Sequence, residues 1–283
     1  MKKLDSYKVA LIQMYSKLGQ VQENVDKAER YIRQAAENGA NLVMLPEMFN
    51  SGINFNNMKE DLEYAECPDG KTLTYMRGLA KELSLYMLCP LVVELEPGKY
   101  ENTAFLIAPD GSLIGSYAKT HPVGDERILL QRGTRYPIFD TELGKIGISI
   151  CYDTCFPEFV RRYAIQGAEI ILVTAGWRGS HYYKEWWDTC MLARAIDNLV
   201  YVIAVNACGP TGDGTEMYAG RSQVVNPIGL LQKAAGVEEE TVLYQTIYPK
   251  RVAAERRSNS MLYDRHPEDY INIQIRIEPS EDN

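Results

Sequence analysis

Long hydrophobic runs are missing from this sequence. The longest apolar stretches, around 170–175 and 199–207, fall short of the ~20 residues needed to cross a bilayer and have the length of buried strands. Positive charge is also scarce. Thirty Lys and Arg stand against 38 Asp and Glu, and the formal net charge of −8 argues against general affinity for nucleic acid phosphates, although a local basic pocket remains compatible with it. No Ser/Gly-rich linker, repeat or low-complexity block interrupts the 283 residues. The expectation is therefore one domain over 1–283, with the polar, Pro-containing stretch 258–283 as a C-terminal tail or arm. Lys2 and Lys3 open the chain, but Asp5, Lys8 and Gln13 break up what would have to be the apolar region of a signal peptide. A cytoplasmic protein is expected. Six cysteines, at 67, 89, 151, 155, 190 and 208, are too dispersed for the disulfide framework of a small secreted domain, so they read as reduced thiols, most of them core fillers. Cys151 and Cys155 stand four apart with no second Cys pair or nearby His, which gives no zinc site, and no other metal is expected.

What is present suits an ordinary globular protein: 46% apolar residues supply a sizeable core and 24% charged residues are too few for disorder. Residues 7–14 read as a strand, 25–37 as a helix closed by Gly39, and 42–45 as a second strand stopped by Pro46. A helix over 73–83 leads into a strand at 85–95. Strands at 103–108 and 113–117 should pair across Pro109-Asp110-Gly111, and 136–140 and 145–151 across Leu143-Gly144. Helical spacing then runs from Pro157 to Gln166, followed by a strand at 170–174, a helix at 184–197 and a strand at 200–205. A hairpin, 222–225 with 230–233, turns at Asn226-Pro-Ile-Gly229, and a last helix covers 249–257. Frequent antiparallel hairpins argue against a purely parallel doubly wound sheet. They favour an α/β fold with two sheets packed between helical layers.

Chemistry concentrates where extended runs end. Cys151 follows the apolar run 145–150 just before helical spacing begins; a sharp turn there would expose its side chain, the Tyr152 N–H could face an oxyanion, and a helix N-terminus would favour a thiolate. Glu47 follows Leu42-Val-Met-Leu-Pro46, where a partly desolvated carboxylate could serve as a base. Lys119 ends the run 113–118. Each has an ordinary reading of its own: a core thiol, a surface or capping carboxylate, a solvated lysine. Their coincidence carries the argument, because thiol, carboxylate and ammonium are the groups that thiol-based acyl transfer requires.

Leu45-Pro-Glu47, Tyr117-Ala-Lys119-Thr-His121, Cys151-Tyr-Asp-Thr-Cys-Phe-Pro-Glu158, Ala193-Arg-Ala-Ile-Asp-Asn198 and Gly220-Arg-Ser-Gln-Val-Val-Asn-Pro-Ile-Gly229 follow one another in an order that resembles the nitrilase superfamily, the carbon–nitrogen hydrolases. The resemblance spans nearly the whole chain from Val9. It implies a four-layer α-β-β-α sandwich with two mixed sheets between helical layers, commonly dimerising through helices beside the active site. It implies Cys151 as nucleophile, Glu47 as proton shuttle, Lys119 as electrostatic stabiliser and no cofactor. A second glutamate between lysine and cysteine is also implied, and its best match is Glu126, ahead of an apolar pair and Gly133.

Tyr152 and Asp153 look like the amidase branches, where true nitrilases typically carry tryptophan and then glutamate, so a small amide or N-carbamoyl compound is expected over a nitrile. Members that bind carboxylated substrates often have arginine just after the nucleophile; Thr154 and Cys155 fill those places here. Arg178, in Ala175-Gly-Trp-Arg-Gly-Ser180, could substitute through a bidentate contact, with Trp177 lining the same pocket. Tyr182, Tyr183, Trp186 and Trp187 form an aromatic group suited to core, interface or substrate contact. His121 and His181 find no catalytic vacancy and read as hydrogen-bonding support. The competing readings are nitrile hydrolysis by the same nucleophile, transfer to an acceptor other than water, and a non-enzymatic Cys151–Cys155 redox pair.

Overall fold

The first strand is apolar on both faces and so demands a covering layer on each. In β1 (Tyr7–Gln13), Val9 and Leu11 enter one core while Ala10 and Ile12 enter another. A computed structural model describes residues 3–179 and 181–270, the side chains of 181–184 excepted. After β1 come α1 (Val21–Glu37), β2 (Leu42–Met44), α2 (Met58–Asp61), α3 (Lys71–Leu83), β3 (Tyr86–Glu96), β4 (Lys99–Ile107), β5 (Leu113–Ala118) and α4 (Glu126–Leu129). The remainder comprises β6 (Phe139–Thr141), β7 (Gly144–Ile150), α5 (Pro157–Ile165), β8 (Ile170–Ala175), α6 (His181–Asn198), β9 (Tyr201–Asn206), β10 (Gln223–Val225), β11 (Leu231–Ala234), β12 (Thr241–Ile247) and α7 (Lys250–Ser258).

Two six-stranded sheets result, in the orders β12-β1-β2-β3-β4-β5 and β11-β10-β9-β8-β7-β6. Each is mixed. In the first, β1, β2 and β3 run parallel between antiparallel strands; in the second, β7, β8 and β9 do so. One core holds Val9, Leu11, Met44 and Leu88 against Ile148, Leu172 and Ile203 between the sheets, and continues into Val160, Tyr163 and Met191 of α5 and α6. The other joins Ala10, Ile12, Val43 and Met87 to Ala28 and Ile32 of α1 and Leu73 and Met76 of α3. The layers are thus helix, sheet, sheet, helix, as the resemblance implied.

The expected hairpins are present: β4 with β5, β6 with β7 and β10 with β11 are all antiparallel. Among the strands, two differ. The strand expected over 136–140 is confined to Phe139–Thr141, preceded by Pro137, with the Tyr136 ring held under Arg162 at 4.0 Å. β12 was not anticipated because only Leu243 and Ile247 of its seven residues are buried, which leaves little apolar alternation to read. The tail expected over 258–283 begins where α7 ends, and Arg256 fastens that helix by donating to the Ala168 carbonyl at 2.7 Å. Residues 271–283 of that tail lie outside the described residues, as do the side chains of His181, Tyr182 and Tyr183. Among the described residues, no helix is long and apolar enough to cross a membrane.

Candidate active site

The parallel strands of both sheets deliver their carboxyl ends to one place, where open α/β sheets commonly bind ligands. β7 stops at Ile150, and Cys151 turns the chain with a left-handed φ of 47°, a conformation costly for a non-glycine residue and characteristic of a nucleophile turn. Buried Asp153 holds that turn. It accepts from the Ile150 N–H at 3.0 Å, the Tyr117 hydroxyl at 2.7 Å and the His121 N–H at 2.9 Å, and it contacts His121 Nδ1 at 2.8 Å. His121 is therefore structural support, stacked on Phe156 at 3.8 Å. From α6, Arg194 Nε donates to the Thr154 carbonyl at 2.8 Å and secures the far side.

Glu47 lies beyond β2 and is fixed from the opposite sheet. The Thr174 hydroxyl donates to the Leu45 carbonyl at 2.8 Å, and the Gly176 N–H donates to Glu47 Oε2 at 2.8 Å. A Cβ at 176 would stand 2.5 Å from Ile53 Cδ1, so any larger residue there would have to displace that side chain. Lys119, just past β5, lies between two carboxylates: its Nζ is 2.9 Å from Glu47 Oε1 and 2.7 Å from Glu126 Oε2. Glu126 begins the short helix α4, and its Oε2 also accepts from the Val123 N–H at 2.9 Å. Glu47, Lys119 and Glu126 are only 4%, 3% and 4% exposed, so all three charges are buried and must compensate one another.

One member of the cluster escaped the sequence reading. Asn102, 1% exposed on β4, donates through Nδ2 to Glu47 Oε1 at 2.7 Å and to Glu126 Oε1 at 3.1 Å. Its backbone carbonyl also accepts from the Lys119 N–H at 2.9 Å. The signal available was a polar residue inside an apolar strand, in Tyr100-Glu-Asn-Thr-Ala-Phe-Leu-Ile107.

Electrostatics follow from this enclosure. Burial opposes the charge of Lys119, but the carboxylates of Glu126 and Glu47 outweigh it and hold the ammonium pKa well above the usual lysine range. For Glu126, burial raises the pKa against the pull of Lys119, with Glu47 adding to the rise. Burial, then Glu47, push the Cys151 thiol well above the usual range despite Lys119. The expectation of a thiolate favoured by a helix N-terminus is thus corrected. A 3-10 turn over Cys151–Cys155 separates the cysteine from α5, which starts at Pro157, and the nearest charges include a carboxylate.

Two adjoining cavities, about 290 Å³ and 80 Å³, share Phe55, Val123, Cys151 and Arg178 in their walls. The smaller reaches Glu47, Lys119 and Glu126; the larger is bounded by Tyr152, Trp177, Arg178, Trp186 and Glu216. Every sequence-predicted site residue therefore borders one continuous hollow. Cys151 and Cys155 are both free thiols at the two ends of the 3-10 turn. Among the described residues, the one group of three or more His, Cys, Asp or Glu side chains close enough to share a cation is exposed His266, Glu268 and Asp269.

The sequence model of the carbon–nitrogen hydrolase family matches residues 8–257. A human omega-amidase, NIT2, is 34% identical over 266 residues, covering 90% of this chain and 93% of that protein. A nitrilase from Pyrococcus abyssi is 30% identical over 268 residues, covering 93% and 99%. In structure, the chain is similar to XC1258 of Xanthomonas campestris, a CN-hydrolase superfamily protein with an arsenic adduct in its active site, at a TM-score of 0.84 and 28% identity over 93% of this chain and 98% of that one.

Proposed function

The chain belongs to the carbon–nitrogen hydrolase family, within the nitrilase superfamily, and from that premise we propose that it hydrolyses a non-peptide carbon–nitrogen bond in a small linear amide or N-carbamoyl compound, with Cys151 as nucleophile. The observation that carries this reading is the convergence of thiol, carboxylate and ammonium on one hollow: Glu47, Lys119 and Cys151 line it together, with Lys119 Nζ 2.9 Å from Glu47 Oε1.

Because the resting thiol is held protonated, attack must be coupled to proton removal. Cys151 Sγ bonds to the substrate carbonyl carbon as its proton passes to Glu47, the carboxylate that lines the same hollow. Lys119 and the Tyr152 backbone N–H stabilise the resulting oxyanion; loss of one such donor costs on the order of 3 kcal/mol in the barrier. Glu47 returns the proton to the departing nitrogen, the carbon–nitrogen bond breaks, and ammonia or an amine leaves a thioester. A water then gives its proton to Glu47 and adds to the thioester, releasing the acid and restoring the thiol. Glu126 acts through Lys119, keeping the ammonium charged and aimed. No step calls for a metal or cofactor.

Amide is favoured over nitrile by Tyr152 and Asp153, the latter committed to holding the turn at the nucleophile. The nitrilase relative keeps the nitrile reading as the specific alternative. The test is ammonia release from monoamides, carbamoyl amines, carbamoyl amino acids and matching nitriles, with Cys151→Ala alongside. The variant should lose on the order of 10⁴-fold or more in kcat. Turnover of nitriles alone would replace the reading, and a variant as active as the native enzyme would end it. The chain is further proposed to form a homodimer through α5 and α6, which expose Ile165, Trp186 and Ile196, Trp186 bordering the larger cavity.

A further inference from the structure

At the outer end of the larger cavity two opposite charges stand side by side. Arg178 Nη1 donates to Glu216 Oε1 at 2.8 Å, and the guanidinium lies over the Phe55 ring at 4.4 Å, which fixes its plane. The backbone beneath is also fixed. Arg178 forms a β-bridge with Tyr218, the Gly179 N–H donates to the Met217 carbonyl at 2.7 Å, and the Glu216 N–H donates to the Thr211 hydroxyl at 3.1 Å. Both side chains are about two-fifths exposed, 43% and 40%, and both border the cavity that contains Cys151. The ion pair engages one guanidinium nitrogen and one carboxylate oxygen, so each partner keeps a polar edge for a visitor.

We propose that this pair reads the head group of the substrate, and that the substrate is a side-chain amide of an α-amino acid, whose carboxylate docks on Arg178 and whose ammonium docks on Glu216. The assignment rests on the hydrolase reading above and sharpens it. An uncharged chain laid against the pair would strip water from both free edges and return nothing. A lone carboxylate would gain Arg178 but approach Glu216, and a lone ammonium would meet the reverse conflict. A zwitterion satisfies both, because its charges sit on one carbon and the complementary charges sit 2.8 Å apart. Trp177, Phe55 and Tyr152 in the same walls suit the short apolar link between head group and amide.

The test is a series in which each charge is deleted from one molecule: L-glutamine, glutaric monoamide, 4-aminobutanamide and butanamide. The L-asparagine series provides a second length. Ammonia release should give the highest kcat/KM for the zwitterion, on the order of 10-fold above either singly charged amide. Arg178→Met should erase the preference for the zwitterion over the ammonium-only amide, and Glu216→Gln the preference over the carboxylate-only amide, chiefly through KM. A purely structural role would depress all four amides together. The proposal falls if an uncharged or singly charged amide equals the zwitterion at both lengths, or if either variant lowers all four alike. Release from any of these amides that Cys151→Ala abolishes leaves the hydrolase reading intact in that event, whereas release from none counts against both.

Discussion

Cys151 rests as a thiol because its surroundings penalise the negative charge: burial first, then the Glu47 carboxylate, against the single opposing charge of Lys119. Replacing Glu47 by Gln removes one of the groups that raise the thiol pKa, so the pKa should fall. Alkylation of Cys151 by a small haloacetamide at neutral pH is then expected to become faster in Glu47→Gln while amide turnover collapses. Slower alkylation in the variant would show that Glu47 promotes the thiolate in the resting state. Asn102 has a different role. It bonds both glutamates without carrying charge, and so keeps them near Lys119 without altering the charge balance. Asn102→Leu should lower kcat/KM on the order of 10- to 100-fold. Asn102→Asp should be worse, since a third carboxylate joins Glu47 and Glu126 around one ammonium; a pH–rate profile of both variants separates lost hydrogen bonds from added charge.

Between β2 and α3 the chain wraps the inner cavity with Ile53, Asn54, Phe55 and Met58, and this segment is anchored by Asp61 at the end of α2. The Asn54 N–H donates to both Asp61 oxygens, at 2.9 and 3.1 Å. Burial pushes this carboxyl up to about 7, partly offset by that hydrogen bond, with Glu60 and Asp213 adding to the rise. A carboxyl whose folded pKa lies above its unfolded value stabilises the fold fully below the unfolded value, near 3.8, and loses that contribution as pH rises through about 7. Stability measured by urea unfolding should therefore decline across that window, by on the order of 4 kcal/mol at most from this group. Asp61→Asn should flatten the decline. An unchanged slope in the variant would assign the pH dependence elsewhere. The element also shows why the sequence reading passed it over: Asp61 sits among Lys59, Glu60 and Glu63, and nothing in that run of charge distinguishes the one that becomes buried.

For the whole molecule, a dimer joined across α5 and α6 would place Trp186, which borders the larger cavity, next to the subunit interface. Sedimentation should give twice the 32.1 kDa of the chain, and Ile196→Asp should shift the population toward monomer. A native chain that sediments as a monomer at micromolar concentration would refute that assembly. Much of this architecture was readable in the linear pattern. Alternating and continuous apolar runs located most strands, Pro109-Asp110-Gly111 and Asn226-Pro-Ile-Gly229 marked hairpins, and Cys151, Glu47 and Lys119 stood out because reactive side chains closed apolar runs. Those signals are local, set by backbone preference and by the period at which a strand or helix turns a face toward the core. Which charges ended up buried could be decided only by folding. Asn102 reaches Glu47 and Glu126 at the end of the first sheet, Arg178 reaches Glu216 between loops of the second, and Gly176 reaches Glu47 from one sheet to the other, all across gaps in sequence that only the tertiary fold closes. The resting protonation of Cys151 is of the same kind: it depends on the depth of the hollow and on the carboxylate brought against the thiol, and neither is a property of the residues that flank it in the chain.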